Sequence, residues 1–339
     1  MIEKFESPAA WRGTALFKRP DWEYRLSVEE LAEIERALRR IKRRGLSLTK
    51  ITREDFELPR LEPVLASVQE GLENGSGAAR IRGITPGLFD EDDVRLIFWG
   101  LARHIGTPVS QSAKGELMFS VRDEGFGEQS AKTRGPNTNK RLRFHTDRCD
   151  VIGFHCVRQA KIGGDNLLVS SITLHNEILE RRPDLLMVLY KPFYYKRHNV
   201  DTGNPLPYLR QPVFAIHQGH FIGNVLRVLI ERAHTVPGVP PLTPVQREAL
   251  DFLDEVAEET ELHVRFRQEP GDMLFINNFV VFHRRDAFED HGEPSLRRHL
   301  LRLWLSVPNS RPLSESFRAN YREIEAGAIR GGMPPIGPD

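Results

Sequence analysis

Cysteine is nearly absent from this chain: 339 residues contain two, Cys149 and Cys156. They flank an expected strand and fall on opposite faces if it stays extended, so they read as small buried hydrophobes rather than as a disulfide. Long apolar runs are missing as well. No window is apolar enough to span a bilayer, and Met1–Glu6 lacks a basic region followed by an apolar stretch. The expectation is a cytoplasmic protein without membrane attachment. An excess of one charge is also lacking, since 48 Lys and Arg stand against 47 Asp and Glu for a net charge of +1. Nothing electrostatic therefore points to nucleic acid or to an anionic membrane as a partner. No internal repeat, no low-complexity segment and no glycine-rich strand-turn-helix phosphate cradle occurs.

What is present is a mixture of short strands and a few well-marked helices. Ser27-Val28-Glu29-Glu30 forms a capping box that opens a helix through about Arg44, with Leu31, Ile34, Leu38 and Ile41 on one stripe. The basic tail Arg39–Arg44 reads as a solvated helix end that complements the dipole. A second helix is expected over Glu62–Leu72, a third from Asp90 to about His104, a fourth over Ile172–Arg181 with Pro183 near its end, and a fifth over Pro244–Glu259 behind a capping box at Thr243. Strands are expected at Ala78–Ile84, Val151–Gln159, Leu167–Ser171, Tyr194–Asn199, Val213–His217, His263–Gln268, Met273–Asn277 and Arg298–Ser306, with a proline-rich loop at Pro205–Pro212. Few of these strands are linked by helices. That argues against a doubly wound parallel sheet and for a mainly β, double-layered barrel, a jelly-roll or double-stranded β-helix of cupin type with flanking helices. Residues 1–76 are expected to be a helical segment packed on a double-stranded β-helix core domain spanning 77–339, in one structural domain overall.

Chemistry concentrates at two places. In Phe144-His145-Thr146-Asp147 a His and an Asp share one face if the segment is extended, and together they can grip a metal ion. Downstream, the β-prone run Phe275–His283 follows the turn Glu269-Pro270-Gly271-Asp272 and supplies a third ligand in His283. Two imidazoles and a carboxylate on one side of an octahedron suit Fe(II) and leave the opposite face open. The stretch Leu296–Leu305 then alternates so that Arg298, Leu300, Arg302 and Trp304 share a face. A buried guanidinium needs an anion, and its fork suits a carboxylate, so Arg298 can hold the distal end of a dicarboxylic cosubstrate.

On His145-Thr146-Asp147, Gly163-Gly164-Asp165, His283, and Arg298 with Arg302 four residues on, the sequence resembles the taurine dioxygenase (TauD/TfdA-like) group of Fe(II)/2-oxoglutarate oxygenases over roughly residues 80 to 310. The resemblance implies that His145, Asp147 and His283 hold iron, that Arg298 binds the far carboxylate of 2-oxoglutarate, and that Arg302 lies near the iron-side carboxylate or the substrate. It implies O2 as co-reactant, succinate and CO2 as products, and hydroxylation of a small molecule as the default outcome, with desaturation and ring formation left open. Halogenation is disfavoured because Asp147 fills the carboxylate position that halogenases leave to chloride. One departure stands out: where family members commonly carry Thr after the Gly-Gly-Asp turn, this chain has Asn166, whose amide can also donate to 2-oxoglutarate.

Taken singly, each motif fits a bland role: a polar strand face, a satisfied core histidine, a hairpin turn, a solvated basic pair. Their order along the chain is what favours the oxygenase. Two rivals remain, a non-catalytic 2-oxoglutarate sensor and an oxygenase of protein side chains; homo-oligomerisation is open. The long connection Ser110–Leu142 leads into the metal segment and reads as a lid, a binding segment or a plain surface excursion. It offers Arg134, Asn137 and Arg141, with Arg143 just beyond, as substrate contacts. With Arg302 they favour an anionic or amino-acid-like substrate that carries a carboxylate.

Overall fold

The computed structural model describes residues 2–126 and 135–336. Two β-sheets form the core. The larger has seven strands: Glu23–Arg25, Ala78–Arg82, Met273–Asn277, Val151–Arg158, His299–Ser306 and Thr107–Pro108 in spatial order, with Met118–Val121 also paired to His299–Ser306. The smaller has three: His263–Phe266, Asn166–Ser170 and Val281–Arg285. Pairing is antiparallel except between Glu23–Arg25 and Ala78–Arg82. Three two-stranded ribbons lie outside these sheets.

Period-2 alternation sorts the larger sheet into two faces. Met273, Phe275, Leu301, Leu303 and Leu305 point outward into a core covered by the helices Val28–Arg43, Glu62–Asn74 and Glu91–Arg103. Leu274, Ile276, Leu300, Arg302 and Trp304 point inward, where they line a cavity shared with Asn166, Leu168, His283 and Arg285 of the smaller sheet. Two antiparallel layers closing on one cavity are the double-layered barrel that the strand count predicts.

Local signals account for the helix ends. Both capping boxes are made, Ser27 with Glu30 and Thr243 with Gln246, and the helices run Val28–Arg43 and Pro244–Ala257. Gly271, at φ +93°, permits the turn into Met273–Asn277, because a Cβ there would strike the Ile84 carbonyl oxygen at 1.9 Å. Both cysteines are free and buried. Among the described residues no helix is long and apolar enough to cross a membrane.

Several expectations need correction. The β-prone run ending at His283 is two strands in different sheets, broken at Asn277-Asn278, where the Asn277 side chain accepts the Phe279 N–H at 2.8 Å. Pro183 opens a further helix, Pro183–Leu189, because its missing N–H costs nothing at a first-turn position. The proline-rich stretch contains the strand Tyr208–Gln211, which pairs with Phe193–Lys196. The connection after Ser110 carries the edge strand Met118–Val121, whose residues pair across Leu300–Leu303.

Candidate active site

His145 and Asp147 do not sit on a regular strand. Only His145 is β-paired, through an isolated bridge in which its N–H and carbonyl exchange 3.0 Å hydrogen bonds with His283. Asp147 lies in the irregular stretch beyond, where its N–H donates to the Asn278 carboxamide oxygen at 3.0 Å and the Asn278 amide reaches the Cys149 sulfur at 3.0 Å. Thr146 turns the other way and exchanges hydrogen bonds with Val225. The alternation thus survives for three residues only, held by the break at Asn278 and by Val225 rather than by a ladder.

The three side chains converge. One ligand atom from each of His145, Asp147 and His283 lies within 4.8 Å of the others, and this is the one such group of three or more among the described residues. His283 Nε2 is 3.5 Å from Asp147 Oδ2, and the two imidazole centroids are 4.5 Å apart. His145 Nδ1 lies 2.9 Å from the Arg143 carbonyl, so it carries the proton and leaves Nε2 as a lone pair for a ligand. Burial, and then the neighbouring His283, push the His145 pKa down to about 4, which keeps the ring neutral at pH 7. For Asp147 burial acts to raise the pKa, but the Arg302 guanidinium and His283 outweigh it and hold the carboxyl well below its ordinary range. A neutral imidazole at His145 and an ionised carboxylate at Asp147 are protonation states that a divalent metal requires.

Buried polar atoms without partners give a second test of fit. Asp147 Oδ2 and both His283 ring nitrogens have none, nor do Arg298 Nη1 and Arg302 Nη2. Each such orphan costs on the order of 1–3 kcal/mol, so five in one cavity mark places for ligands rather than defects of packing. The Asp147 oxygen and one of the two His283 nitrogens suit a cation, the other ring nitrogen being an N–H, and the two guanidinium nitrogens suit anions.

The basic half of the site is positioned by two glutamines that fall in no sequence motif. Arg298 immediately precedes the strand His299–Ser306, and its side chain is buried. Its Nε donates to Gln159 Oε1 at 3.1 Å, its guanidinium lies 5.1 Å from the Phe288 ring centre, and burial pushes its pKa down to about 10, so it stays charged at neutral pH. Arg302 Nε donates to Gln111 Oε1 at 2.7 Å, and Gln111 Nε2 is anchored on the Leu117 and Arg302 carbonyls, both at 3.0 Å. The rings of Phe119 and Trp304 lie 5.3 and 5.1 Å from this guanidinium, and its Nη1 is 3.8 Å from Asp147 Oδ2. Asn166 opens the strand Asn166–Ser170, lines the cavity, and donates through Nδ2 to Gln268 Oε1 at 3.2 Å.

Gly164 is the hinge of this arrangement. At φ +76°, a Cβ would lie 3.1 Å from Arg298 Nε and 3.2 Å from Gln159 Oε1. Gly164→Ala should cost about 1–2 kcal/mol in urea unfolding from the left-handed backbone alone. It should also displace the Arg298 fork and weaken dicarboxylate binding; unchanged binding by calorimetry would show that Arg298 has room to adjust.

The expected substrate contacts are placed less uniformly. Arg143 lines the cavity of about 680 Å³, but its guanidinium is exposed and bonded to Glu231 at 3.1 Å; its carbonyl, not its charge, serves His145. Arg141 pairs with Glu258 at 2.6 Å. Asn137 is buried, and its neighbours Pro136 and Thr138 line the cavity in its stead. Arg134 lies outside the described residues.

Comparison with known proteins agrees with this geometry. A family profile described as taurine catabolism dioxygenase TauD, TfdA family matches residues 42–304. The FR-33289 synthase of Streptomyces rubellomurinus is 31% identical over 336 residues, which cover 97% of this chain and 99% of that one. The taurine hydroxylase-like protein SAT17 of Stachybotrys chartarum is 30% identical, covering 88% and 79% of the two chains. Among solved structures, an asparagine oxygenase in complex with Fe(II), 2S,3S-3-hydroxyasparagine and succinate superposes with a TM-score of 0.65 at 17% identity, over 84% of this chain and 93% of that one. The non-haem iron oxygenase OrfP, in complex with Fe, succinate and (3S)-hydroxy-L-Arg, gives 0.62 at 14%, over 90% and 99%.

Proposed function

Because this chain belongs to the taurine catabolism dioxygenase (TauD, TfdA) family, we propose that His145, Asp147 and His283 hold its iron and that Arg298 anchors the distal carboxylate of its cosubstrate. The protein is an Fe(II)- and 2-oxoglutarate-dependent dioxygenase, an oxidoreductase that consumes O2. Iron and 2-oxoglutarate together supply the activation of O2, with release of succinate and CO2 as one oxygen atom passes to substrate.

The remaining work falls to this chain's side chains. Asp147, ionised beside Arg302, supplies the negative charge that the two imidazole ligands lack. The Arg143 carbonyl fixes the tautomer of His145, and the bridge to His283 fixes the separation of the two rings. Arg298, braced by Gln159 and Phe288, presents a free N–H of its fork to the far end of the cavity, while Gln111 holds Arg302 next to the metal ligands. The observation that carries this reading is the set of orphaned atoms, cation-seeking at the triad and anion-seeking at the two arginines.

For the substrate, the reading is a small carboxylate or amino acid that becomes hydroxylated. The cavity of about 680 Å³ is of small-molecule size. Arg302 Nη2 is buried there without a partner, and Arg197, which also lines the cavity, shares the buried carboxylate of Asp201 with Arg148, at 3.3 and 2.6 Å. Two of the superposed enzymes carry hydroxylated amino acids.

The test is succinate formation and O2 uptake with panels of carboxylates, sulfonates, amino acids, neutral apolar compounds and peptides. Turnover should be greatest with a small carboxylate or amino acid, and Arg302→Ala should raise the KM for it by about tenfold or more. Turnover with peptides alone would make this an oxygenase of protein side chains. Binding of 2-oxoglutarate without turnover on any panel would favour a sensor. A neutral best substrate, indifferent to Arg302→Ala and Arg134→Ala, would overturn the charge argument.

A further inference from the structure

Resting on the cosubstrate reading above, we propose that Arg285 is a second guanidinium for the distal carboxylate of 2-oxoglutarate and takes over the donor role that Asn166 fills weakly. Arg285 follows His283 by two residues on the strand Val281–Arg285, so both side chains leave the same face, and both line the cavity. In the ladder it stands directly opposite Asn166. Its guanidinium lies 4.7 Å from the centre of the Phe288 ring, the same ring that Arg298 approaches at 5.1 Å. One aromatic side chain therefore carries both cations at the same end of the cavity.

Neither cation has a carboxylate within salt-bridge distance of its guanidinium. Arg285 donates only to carbonyl oxygens, those of Asp286 at 2.7 Å, Thr138 at 2.7 Å and Asn139 at 3.3 Å. Of the nearby carboxylates, Asp286 pairs with Arg284 at 2.5 Å and Arg265 at 3.1 Å, Asp290 accepts the backbone N–H of Arg298 at 2.8 Å on one oxygen and leaves the other unpartnered, and Asp123 and Asp290 attract Arg285 only from beyond salt-bridge distance. Among the described residues no salt bridge is made by Arg285 or Arg298. The two buried guanidiniums repel each other and neither is paired directly with a carboxylate, so a carboxylate bound between them would convert that repulsion into binding. Asn166 carries no charge and spends one of its two amide N–H groups on Gln268. The three carbonyls hold Arg285 in place beforehand, so little side-chain freedom is lost when the anion arrives.

The experiment compares two 2-oxo acids on Fe(II)-loaded protein under anaerobic conditions. 2-Oxoglutarate has the distal carboxylate and 2-oxobutyrate lacks it, so a distal-site residue separates them and a merely structural one does not. Arg285→Gln should weaken 2-oxoglutarate by about tenfold or more and leave 2-oxobutyrate within about twofold of wild type. Asn166→Ala, which tests the same division of labour without touching Arg285, should weaken 2-oxoglutarate by less than about threefold. Parallel loss of both acids in Arg285→Gln, or a larger effect from Asn166→Ala than from Arg285→Gln, would overturn the proposal. If Arg298→Gln abolishes 2-oxoglutarate binding while a folded Arg285→Gln keeps it, this inference falls and the Arg298 anchor stands. Wild-type affinity in both variants would remove the anchor itself.

Discussion

Asp147→Ala is expected to bind Fe(II) at least about 100-fold more weakly than wild type and to form no succinate, because it removes one of the three proposed ligands together with the only negative charge among them. Equilibrium dialysis against Fe(II), or against Mn(II) as an air-stable probe, measures the first effect and coupled turnover the second. The substitution also strips Arg302 of the carboxylate 3.8 Å from its Nη1, so some loss of stability is expected alongside. Asp147→Asn separates the two consequences: it keeps the side-chain shape and one oxygen but loses the charge, and should recover stability more than affinity. His145→Ala and His283→Ala should resemble Asp147→Ala. His291→Ala should not, since His291 lies outside the cluster, and His104→Ala should not, since its Nε2 is engaged with the Phe56 carbonyl at 2.8 Å. Succinate formation at the wild-type rate in Asp147→Ala would sink the triad assignment.

The triad could be read from the chain because its residue types are few and their chemistry is narrow. The reason for their convergence was not legible in the same way. Extended geometry at His145–Asp147 is the simplest way to bring two side chains to one face, yet the structure reaches that result with a single bridge and with Asn278. Two consecutive amides inside an apolar run, Asn277-Asn278, were the available signal, since such residues favour turns over mid-strand positions. The strand His299–Ser306 was legible for the opposite reason. Its alternation is regular, and a period of two fixes which residues face the cavity whatever the ladder partners are.

Glutamines 111 and 159 show where pattern reading stops. Each lies far along the chain from the arginine it holds, Gln111 from Arg302 and Gln159 from Arg298, and neither falls in a motif. A polar residue that satisfies a distant buried cation leaves no local periodicity, so only the folded arrangement reveals it. The loop arginines make the same point with the other sign. Arg141 and Arg143 read as spare positive charge until Glu258 and Glu231, carried in from distant parts of the chain, are seen to neutralise them.

Arg298→Ala should weaken 2-oxoglutarate by about 2 kcal/mol or more, roughly 30-fold, because the variant loses a charge-assisted, two-pronged contact in a buried site. The environment argues for an effect at the upper end. The guanidinium is almost wholly buried, its Nη1 has no protein partner, and Gln159 and Phe288 fix its plane, so the fork is pre-aimed and little entropy is spent on binding. Arg298→Lys keeps the charge but offers an ammonium in place of a fork, and it cannot both reach a carboxylate and replace the planar contact with Phe288. It should therefore recover less than half of the lost binding free energy. Anaerobic calorimetry of Fe(II)-loaded protein with 2-oxoglutarate checks the series, and steady-state kinetics should show the loss in the KM for 2-oxoglutarate. Equal affinity in wild type and Arg298→Ala would place the distal anchor elsewhere, with Arg285 next in line because it lines the cavity beside the same Phe288 ring, and Arg302 after it because its Nη2 is the other buried guanidinium nitrogen left without a partner on the strand face of Arg298.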